Sequence, residues 1–262
     1  MILDEIVDAT IIRIEKAKKN ISLNEMILLA EKSEPPFAFE NALKQKDISF
    51  ICEVKKASPS KGIIANDFPY IKIAKEYEKA GAAAISVLTE PDFFMGSVDY
   101  LKDIKQNITI PVLQKDFIID EYQIYEASMI GADAILLICA ILSIDKVKKF
   151  IKIADSLGLS CLVEAHNDQE VKKAIEADAR VIGVNNRNLK TFEVNINNSI
   201  NLRGLVPKSI IFVSESGIKT TNDINALREI GTNAVLIGET FMRSNHIKEE
   251  LDILRGKCCD ED

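Results

Sequence analysis

Residues 212–218 read Phe-Val-Ser-Glu-Ser-Gly-Ile, an apolar, β-branched run that ends abruptly in polar residues and a glycine. A helical pattern follows directly, near residues 220–222, and residues 234–238, Ala-Val-Leu-Ile-Gly, repeat the arrangement. Two apolar strands, each closed by a glycine before a helix, can gather backbone N–H groups around one anion. Two ordinary buried strands with glycine-containing turns have the same appearance, because glycine after a strand is common. The pattern of the rest of the sequence decides between these two interpretations.

The same alternation of short apolar runs and helical patterns extends back to residue 49. The apolar runs lie at 50–54, 83–88, 110–113, 134–138, 160–163, 181–184, 210–213 and 234–237. The helical patterns lie near 69–80, 97–106, 120–129, 143–157, 168–176, 195–203, 220–230 and 244–254. Runs that are apolar on both faces are typical of parallel strands covered by helices. Eight such βα units that close on themselves form an α/β TIM barrel, the (β/α)8 fold.

An open, doubly wound sheet is the alternative architecture. That fold usually has fewer strands and a glycine-rich first turn, and no GxGxxG motif follows the first run. The length of 262 residues also suits a barrel of ~250 residues. The barrel is therefore the favoured fold, over residues 48–255, with a charged tail at 256–262.

Residues 1–47 precede the repeating pattern, and we expect them to form a helical extension packed on the barrel. Apolar residues at helical spacing within 4–32 predict two helices, broken near 20–22. Residues 37–46 form a short helix or an irregular link. A mobile leader is the alternative, but regular apolar spacing favours packing. Residues 1–20 lack the uninterrupted apolar stretch of a signal peptide or a membrane span.

The composition excludes several classes of function. A net charge of −7 argues against non-specific binding to nucleic acid or to anionic membranes. A few local lysines can still attract a small anionic substrate. The chain has five cysteines and two histidines without a CxxC pair, so neither a disulfide framework nor a structural zinc site is expected. This cysteine usage indicates a reducing, cytoplasmic setting.

Polar side chains occupy the carboxyl ends of several predicted strands, where a barrel carries its chemistry. They are Glu53, Lys55, Ser58, Lys115, Glu164, Asn185, Arg187, Glu215 and Ser216. Alternation along the first strand points Glu53 and Lys55 to the same side. Any one of these residues could be a solvated loop charge, but scattered surface charge has no reason to prefer strand ends. Together they predict a mouth lined by lysines and carboxylates.

This pairing of lysines with carboxylates predicts acid–base chemistry. A lysine crowded by another lysine loses proton affinity and approaches the pKa of a useful general acid. A carboxylate beside it can act as a base, or can hold the lysine charged and oriented. The turns after the seventh and eighth strands suit a phosphate, since those loops form the recurrent phosphate site of this fold. The sequence lacks a metal cluster, a Ser-His-Asp set and a nucleotide fingerprint, which favours acid–base work on a sugar phosphate.

Apolar residues near the same mouth are Phe93, Phe94, Phe117 and Leu189. They either pack on the rim as ordinary loop residues or form a slot for a flat aromatic ring. Nothing in their spacing separates the two interpretations.

Five segments, in strand order, resemble the motifs of the indole-3-glycerol phosphate synthase family. They are EVKKASPSKG at 53–62, PVLQKDFI at 111–118, LVEAH at 162–166, IGVNNRNL at 182–189 and VSESGI at 213–218. The resemblance runs from about residue 5 to residue 255 and includes the N-terminal extension. Five ordered motifs at predicted strand ends are far more specific than a single glycine motif.

The resemblance implies a carboxy-lyase of tryptophan biosynthesis. Such an enzyme closes the indole ring of 1-(2-carboxyphenylamino)-1-deoxy-D-ribulose 5-phosphate and releases CO2 and water. Lys115 matches the general acid that protonates the ribulose carbonyl as the aryl carbon attacks it. Lys55 matches a contact to the anthranilate carboxylate and is a second candidate acid for the later dehydration. Glu164 matches the general base, and Glu53 a polar partner that orients the substrate and the lysines.

The resemblance also implies a set of binding residues. Asn185 and Ser216 match contacts to substrate hydroxyls or to an intermediate. The remaining matches are Ser58 and Arg187 for substrate binding, Gly217, Gly238 and Glu239 for the phosphate, and Phe94, Phe117 and Leu189 for the aromatic ring. No cofactor and no metal are implied, and we expect a monofunctional monomer, with other tryptophan-pathway enzymes as candidate partners.

Two positions depart from the family pattern. Gln114 stands where arginine is common before the catalytic lysine. Glu239 stands where some members have serine, so its carboxylate is expected to point away from the phosphate. Neither position touches the proposed acid or base, so the departures bear on affinity more than on reaction type.

Two other functions fit part of the pattern. A phosphosugar isomerase would need an acid–base pair but neither two lysines nor an aromatic slot. A phosphate-ligand sensor without catalysis would need the glycine turns but not the lysine–carboxylate set at four strand ends.

Overall fold

Eight parallel strands close into a barrel in the computed structural model, which describes residues 2–30, 36–65, 67–188, 191–242, 244 and 246–256. The barrel strands are β1 (Ser49–Val54), β4 (Ala84–Leu88), β5 (Val112–Lys115), β6 (Ala134–Ile138), β7 (Ser160–Ala165), β8 (Val181–Asn185), β9 (Ile211–Glu215) and β10 (Ala234–Ile237). Two short strands outside the barrel, β2 (Ala57–Ser58) and β3 (Gly62–Ile63), lie between β1 and β4 in the chain. The ring closes where β1 pairs with both β4 and β10. The predicted TIM barrel is confirmed.

Three helices precede β1, and the others follow the barrel strands and cover them. In chain order the helices are α1 (Ile2–Asn20), α2 (Leu23–Leu29), α3 (Ala38–Ala42), α4 (Tyr70–Lys79), α5 (Val98–Lys105), α6 (Glu121–Met129), α7 (Ile144–Ser156), α8 (Asp168–Glu176), α9 (Asn197–Arg203), α10 (Thr221–Glu229), α11 (Glu239–Met242) and α12 (Ile247–Arg255). Every predicted apolar run overlaps a barrel strand, and every predicted helical pattern overlaps a helix. Along the described stretches of the chain, no helix is long and apolar enough to cross a membrane.

Local sequence signals set the ends of the barrel helices. Several helices begin at a residue whose side chain accepts a hydrogen bond from the first turn: Ser97, Asp120, Ser143, Asn167 and Thr220. Such caps satisfy backbone donors that a helix start leaves open. Gly81 and Gly131 follow α4 and α6 with φ angles of 87° and 86°, a conformation that favours glycine.

Several strands run further than their apolar pattern indicates. The apolar run at 110–113 stops before Lys115, which the sequence places at the end of this strand, and β5 includes this lysine. In the same way β7 includes Glu164, and β9 ends at Glu215. Polar residues interrupt an apolar pattern without ending the backbone ladder. These side chains therefore stand on rigid strands and not on loops.

Two short elements are absent from the sequence-based prediction. The first is the antiparallel pair of β2 and β3, which follows β1 at the mouth of the barrel. The second is α11, a single turn that begins directly after Gly238. Elements of two to four residues are too short to show a hydrophobic period.

The three helices before β1 contact both ends of the barrel. Phe39 of α3 and the following Leu43 are fully buried against interior residues of the strands. The N–H of Glu40 donates to Oγ of Ser160, at the start of β7, over 3.3 Å. Helix α1 reaches the opposite end, where Arg13 pairs with Asp116 after β5. The helices α1 and α2 are separated near Ser22, as predicted.

Candidate active site

A cavity of about 660 Å³ lies at the carboxyl ends of the barrel strands. Most of the predicted site residues that the structure describes line this cavity: Glu53, Lys55, Ser58, Phe94, Lys115, Phe117, Glu164, Asn185, Arg187, Ser216, Gly217, Gly238 and Glu239. Phe93, a candidate for the aromatic slot, is described but is not among the lining residues. Leu189, the other predicted ring contact, lies outside the described residues. Strands β1, β2, β5, β7 and β8, together with the segments that follow β1, β4, β5, β8, β9 and β10, thus supply one site.

Lys115 lies between two carboxylates inside the barrel. Its Nζ is 3.1 Å from Oε2 of Glu164 and 3.3 Å from Oε2 of Glu215. The three residues come from β5, β7 and β9, which alternate around the ring, so their side chains meet at its centre. Only 14% of the Lys115 side chain is exposed, and both glutamates are buried.

The charges around Lys115 favour its ammonium form. Burial acts to lower the pKa of Lys115, but Glu164, Glu215 and Glu53 outweigh it and raise the pKa above the ordinary lysine value. The expectation that a second lysine would lower this pKa is therefore wrong for Lys115. The reason is geometric, since carboxylates and not lysines surround the ammonium group.

Glu164 is held in its ionised form by the same arrangement. Burial acts to raise the pKa of Glu164, but Lys115 and His166 outweigh it and lower the pKa below the usual value. The side chain of Asn185, at the end of β8, also donates a hydrogen bond to this carboxylate. Glu164 is thus available as a proton acceptor at neutral pH.

Glu215 has a larger part in the site than the sequence indicates. The sequence places it at a strand end and assigns it no catalytic role. Burial, opposed by Lys115 and reinforced by Glu164 and Glu53, raises the pKa of Glu215 to about 7. Among the described residues, its buried Oε1 has no hydrogen-bond partner. A Cβ on Gly183 would overlap this carboxylate, so the glycine in β8 makes room for it.

Lys55 and Glu53 form a second ion pair at the end of β1. Glu53 is buried, and its carboxylate lies where a Cβ on Gly238 would fall. Gly238 is therefore a packing requirement of Glu53 as well as a candidate phosphate contact. Gly238 thus leaves room for the carboxylate of Glu53 and is also a predicted contact to the phosphate.

The turn after β9 has an unusual backbone. Ser216 and Gly217 have φ angles of 68° and 82°, and only glycine adopts this region without strain. The side chain of Asn186 donates to the Ser216 carbonyl over 3.0 Å and fixes the turn. A Cβ on Gly217 would also overlap Cγ1 of Val194. The sequence predicts a glycine turn here, but not the strained serine before it.

The aromatic residues of the cavity are held by buried carboxylates. The rings of Phe94 and Phe117 have centroids 6.0 Å apart. Glu90 accepts the N–H of Phe94 over 3.0 Å, and Asp116 accepts the N–H of Phe117 over 2.8 Å. Arg13 of α1 lies 2.8 Å from Asp116 and 3.6 Å from Glu90. The N-terminal helix is thus tied to both loops that carry the predicted ring contacts.

Several lining residues carry no sequence signal that could have identified them. Ile2, Leu3 and Ile6 of α1 line the cavity, although helical spacing alone does not say where α1 packs. Lys61, between β2 and β3, lies 3.6 Å from Glu239 across the mouth. The carboxylate of Glu239 is therefore paired with a lysine beside the predicted phosphate turn.

Solved structures share the fold of this chain at low identity. The tryptophan synthase complex from Pyrococcus furiosus gives a TM-score of 0.60 at 15% identity, over 80% of this chain and 99% of that chain. The 3-hexulose-6-phosphate synthase from Salmonella typhimurium gives 0.65 at 14% identity, over 80% of this chain and 100% of that chain. These likenesses show the barrel fold alone.

Relatives of known family are similar over the whole chain. A protein of Ruminiclostridium cellulolyticum named indole-3-glycerol phosphate synthase is 64% identical over 98% of this chain and 99% of its own length. One of Endomicrobium trichonymphae with the same name is 59% identical over 97% of this chain and 100% of its own length. The family model described as indole-3-glycerol phosphate synthase matches residues 3–254. The barrel and its lysine–carboxylate cavity are built from these same residues. The chain belongs to the indole-3-glycerol phosphate synthase family.

Proposed function

We propose that this barrel carries out the reaction of its family with Lys115 as general acid and Glu164 as general base. The reaction is the carboxy-lyase step of tryptophan biosynthesis, which closes the indole ring of 1-(2-carboxyphenylamino)-1-deoxy-D-ribulose 5-phosphate and releases CO2 and water. One observation carries the proposal: Nζ of Lys115 and Oε2 of Glu164 lie 3.1 Å apart in the cavity. An acid and a base in contact can serve successive proton transfers on one substrate.

The first step is bond formation between the aryl carbon and the ribulose carbonyl. As the carbonyl oxygen gains negative charge, Lys115 transfers a proton to it and a hydroxyl group forms. The raised pKa of Lys115 keeps the proton on the lysine until that charge develops. Glu164 and Glu215 hold the ammonium group in place, which lowers the cost of orienting it.

Loss of CO2 and water completes the reaction. The carbon–carbon bond to the carboxylate breaks, and its electron pair returns to the ring system. A lysine then protonates the new hydroxyl group, which leaves as water, while Glu164 takes a proton from the neighbouring carbon, the former first carbon of the ribulose. The double bond that forms between these two carbons completes the indole. We propose Lys55 as the contact to the substrate carboxylate, because its pairing with Glu53 holds it at the same mouth.

The remaining residues are proposed to bind the substrate. The phosphate lies at the turns of Gly217 and Gly238, beside Lys61 and Glu239. The aromatic ring lies against Phe94 and Phe117, with Leu189 as a further contact outside the described residues. Ser58 and Arg187 contact the substrate, and Asn185 and Ser216 contact its hydroxyl groups. All of the described members of this set line the one cavity.

The assay for this proposal is turnover of the carboxyphenylamino-deoxyribulose phosphate to a product with indole absorbance. The purified wild-type protein should release one CO2 per indole ring formed. A folded protein that binds the substrate without forming product would contradict the proposal. So would a Lys115→Ala variant with unchanged turnover.

We further propose that the enzyme works as a monomer in the cytoplasm. The described cysteines are free and buried: Cys52, Cys139 and Cys161. Buried thiols without a disulfide suit a reducing compartment. Sedimentation of the purified protein as a dimer at micromolar concentration would overturn the monomer. Cys258 and Cys259 lie outside the described residues.

A further inference from the structure

His166 contacts the proposed base on the side opposite Lys115. Its Nε2 lies 3.4 Å from Oε1 of Glu164, while Lys115 lies 3.1 Å from Oε2 of the same carboxylate. Only 13% of the His166 side chain is exposed. Each oxygen of Glu164 therefore has its own nitrogen neighbour, and nothing in the acid–base roles assigned above uses the histidine.

Glu170 fixes the other side of the imidazole ring. Its Oε2 lies 3.0 Å from Nδ1 of His166 and accepts the backbone N–H of the same residue over 2.9 Å. Asn167 donates to the second oxygen of Glu170 over 2.8 Å. A carboxylate at Nδ1 keeps a proton on that nitrogen and leaves Nε2 as the ring nitrogen that faces Glu164. Within the part of the chain that the structure describes, Nε2 is buried and has no hydrogen-bond partner, so its 3.4 Å approach to Glu164 is a charge contact.

We propose that His166 is a positioning residue, whose imidazolium lies against Glu164 and holds that carboxylate ionised and oriented against Lys115. The inference rests on the proposed function, in which Glu164 is the base. Glu170, His166, Glu164 and Lys115 stand in a row, and with His166 protonated their charges alternate in sign. In such a row each charge is stabilised by its neighbours on both sides.

The surroundings of His166 favour its protonated form. The carboxylates that face it come from three elements: Glu164 from β7, Glu170 from α8 and Glu215 from β9. Burial acts to lower the pKa of His166, but the hydrogen bond to Glu170 and these charges outweigh it and raise the pKa above the ordinary histidine value. The imidazolium therefore persists to a higher pH than a free histidine, and it supports Glu164 up to that pH.

Loss of this proton would change the contact from attractive to repulsive. Glu170 retains the proton on Nδ1, so a neutral His166 presents the lone pair of Nε2 to an oxygen of Glu164. The carboxylate then moves away from its working position. A displacement of about 1 Å in a catalytic group can cost roughly 10²-fold in rate. Activity should thus fall as the pH rises through the pKa of His166.

The first test is direct and needs no substrate. The chain has two histidines, so imidazole nitrogen NMR gives two titrations, and His246→Gln assigns them. We expect the pKa of His166 to fall in both Glu164→Gln and Glu170→Gln, because each change removes a facing negative charge. An unchanged titration of His166 in Glu164→Gln would overturn the inference. This readout is independent of whether the protein turns over the proposed substrate.

The second test is kinetic and compares His166→Gln with His166→Leu. Glutamine keeps an N–H donor that does not titrate, so its kcat should lose the alkaline decline of the wild type. Leucine removes the donor, and its kcat should fall roughly 10²-fold with little change in KM. His246→Gln is the matched control, since it removes the exposed histidine, and it should behave as wild type.

The two proposals fail in different ways. If wild-type protein forms no indole product, the proposed function fails, whatever the NMR titrations show. If the wild type is active and His166→Leu matches it at every pH, the proposed function stands and the inference on His166 fails. Circular dichroism of each variant confirms that it is folded before its rate is compared.

Discussion

Nζ of Lys115 lies 3.1 Å from Oε2 of Glu164, so the proposed acid and the proposed base of one reaction are in direct contact. The pair forms across the barrel interior, from β5 and β7, and β6 lies between them. Each partner stabilises the charged form of the other, which raises the pKa of Lys115 and lowers that of Glu164. The substrate must therefore compete with Glu164 for the ammonium group, and that competition couples binding to catalysis.

Replacement of Lys115 by methionine should reduce kcat far more than it changes KM. The lysine makes its main interaction with the oxygen that becomes charged in the transition state. General acid catalysis typically contributes ~10²–10⁴-fold, and we expect a loss of kcat in that range. Steady-state kinetics on the carboxyphenylamino-deoxyribulose phosphate measures both constants.

Lys72→Met is the control for this substitution. Lys72 lies on α4 with 75% of its side chain exposed, and its nearest acidic partner is Glu76 at 3.8 Å. Lys72 does not line the cavity, so the same loss of a positive charge there should leave kcat unchanged. A loss confined to KM in Lys115→Met would contradict the acid role.

Glu215 should give the protein a pH-dependent stability that Glu215→Gln removes. Its pKa of about 7 in the folded chain exceeds the ordinary value of 4.5, so the folded state binds the extra proton between these values. The stabilisation that the protonated Glu215 contributes to the folded state is therefore fully present below pH ~4.5 and is lost as the pH rises through 7. The stability of Glu215→Gln relative to that of the wild type should increase as the pH rises from 5 to 8.

Urea denaturation at pH 5, 6, 7 and 8 measures this difference in the free energy of unfolding. Glu229→Gln on α10 is a control, because it removes a carboxylate that does not line the cavity. Curves for Glu215→Gln and wild type that stay parallel across this range would show that Glu215 does not bind a proton near neutral pH.

The sequence predicts the barrel well because its signal is repeated. Each strand is apolar on both faces and each is followed by an amphipathic helix, so an error in one unit leaves the other units to define the fold. The same pattern places Lys115 and Glu164 at strand ends. Both side chains point into the closed ring, from β5 and β7, so they meet in its interior.

The electrostatic environment of these residues could not be predicted in the same way. The sequence contains two lysines at the mouth, and it does not say whether they face each other or face carboxylates. The side-chain directions of three strands decide that question, and they place Glu164 and Glu215 on Lys115. The contact of His166 with Glu164 depends likewise on Glu170, one turn into the next helix. Packing of α1 over the mouth is a long-range contact that helical spacing cannot specify.

Substitution of Gly217 by alanine should weaken phosphate binding beyond the cost of backbone strain. The residue has a φ angle of 82°, and an added Cβ would overlap Val194. Relief of that overlap must move the turn or the loop of Val194, and both line the cavity. We expect KM to rise and the affinity for inorganic phosphate, measured by calorimetry, to fall.

Gly231→Ala separates strain from site geometry. Gly231 has a similar φ angle of 76°, but an added Cβ would meet nothing within 4 Å. That variant should lose roughly 1–2 kcal/mol of stability from the left-handed backbone alone, with KM unchanged. If Gly217→Ala behaves in the same way, the turn of Gly217 does not bind the phosphate.

Substitution of Arg13 by methionine should detach the N-terminal helix from the aromatic wall of the cavity. Arg13 lies 2.8 Å from Asp116 and 3.6 Å from Glu90, and both carboxylates are buried. Methionine keeps the aliphatic packing but leaves the two carboxylates without their cation, at a cost of about 1–3 kcal/mol. The backbone N–H groups of Phe94 and Phe117 donate to these same carboxylates, so the two loops depend on their position. We therefore expect KM to rise as stability falls.

Arg228→Met is the matched control, because Arg228 pairs with the exposed Asp47 and an exposed pair contributes only ~0–1 kcal/mol. A variant of Arg13 that loses stability and keeps its KM would show that α1 only anchors the fold, and that the aromatic wall is positioned by the barrel itself.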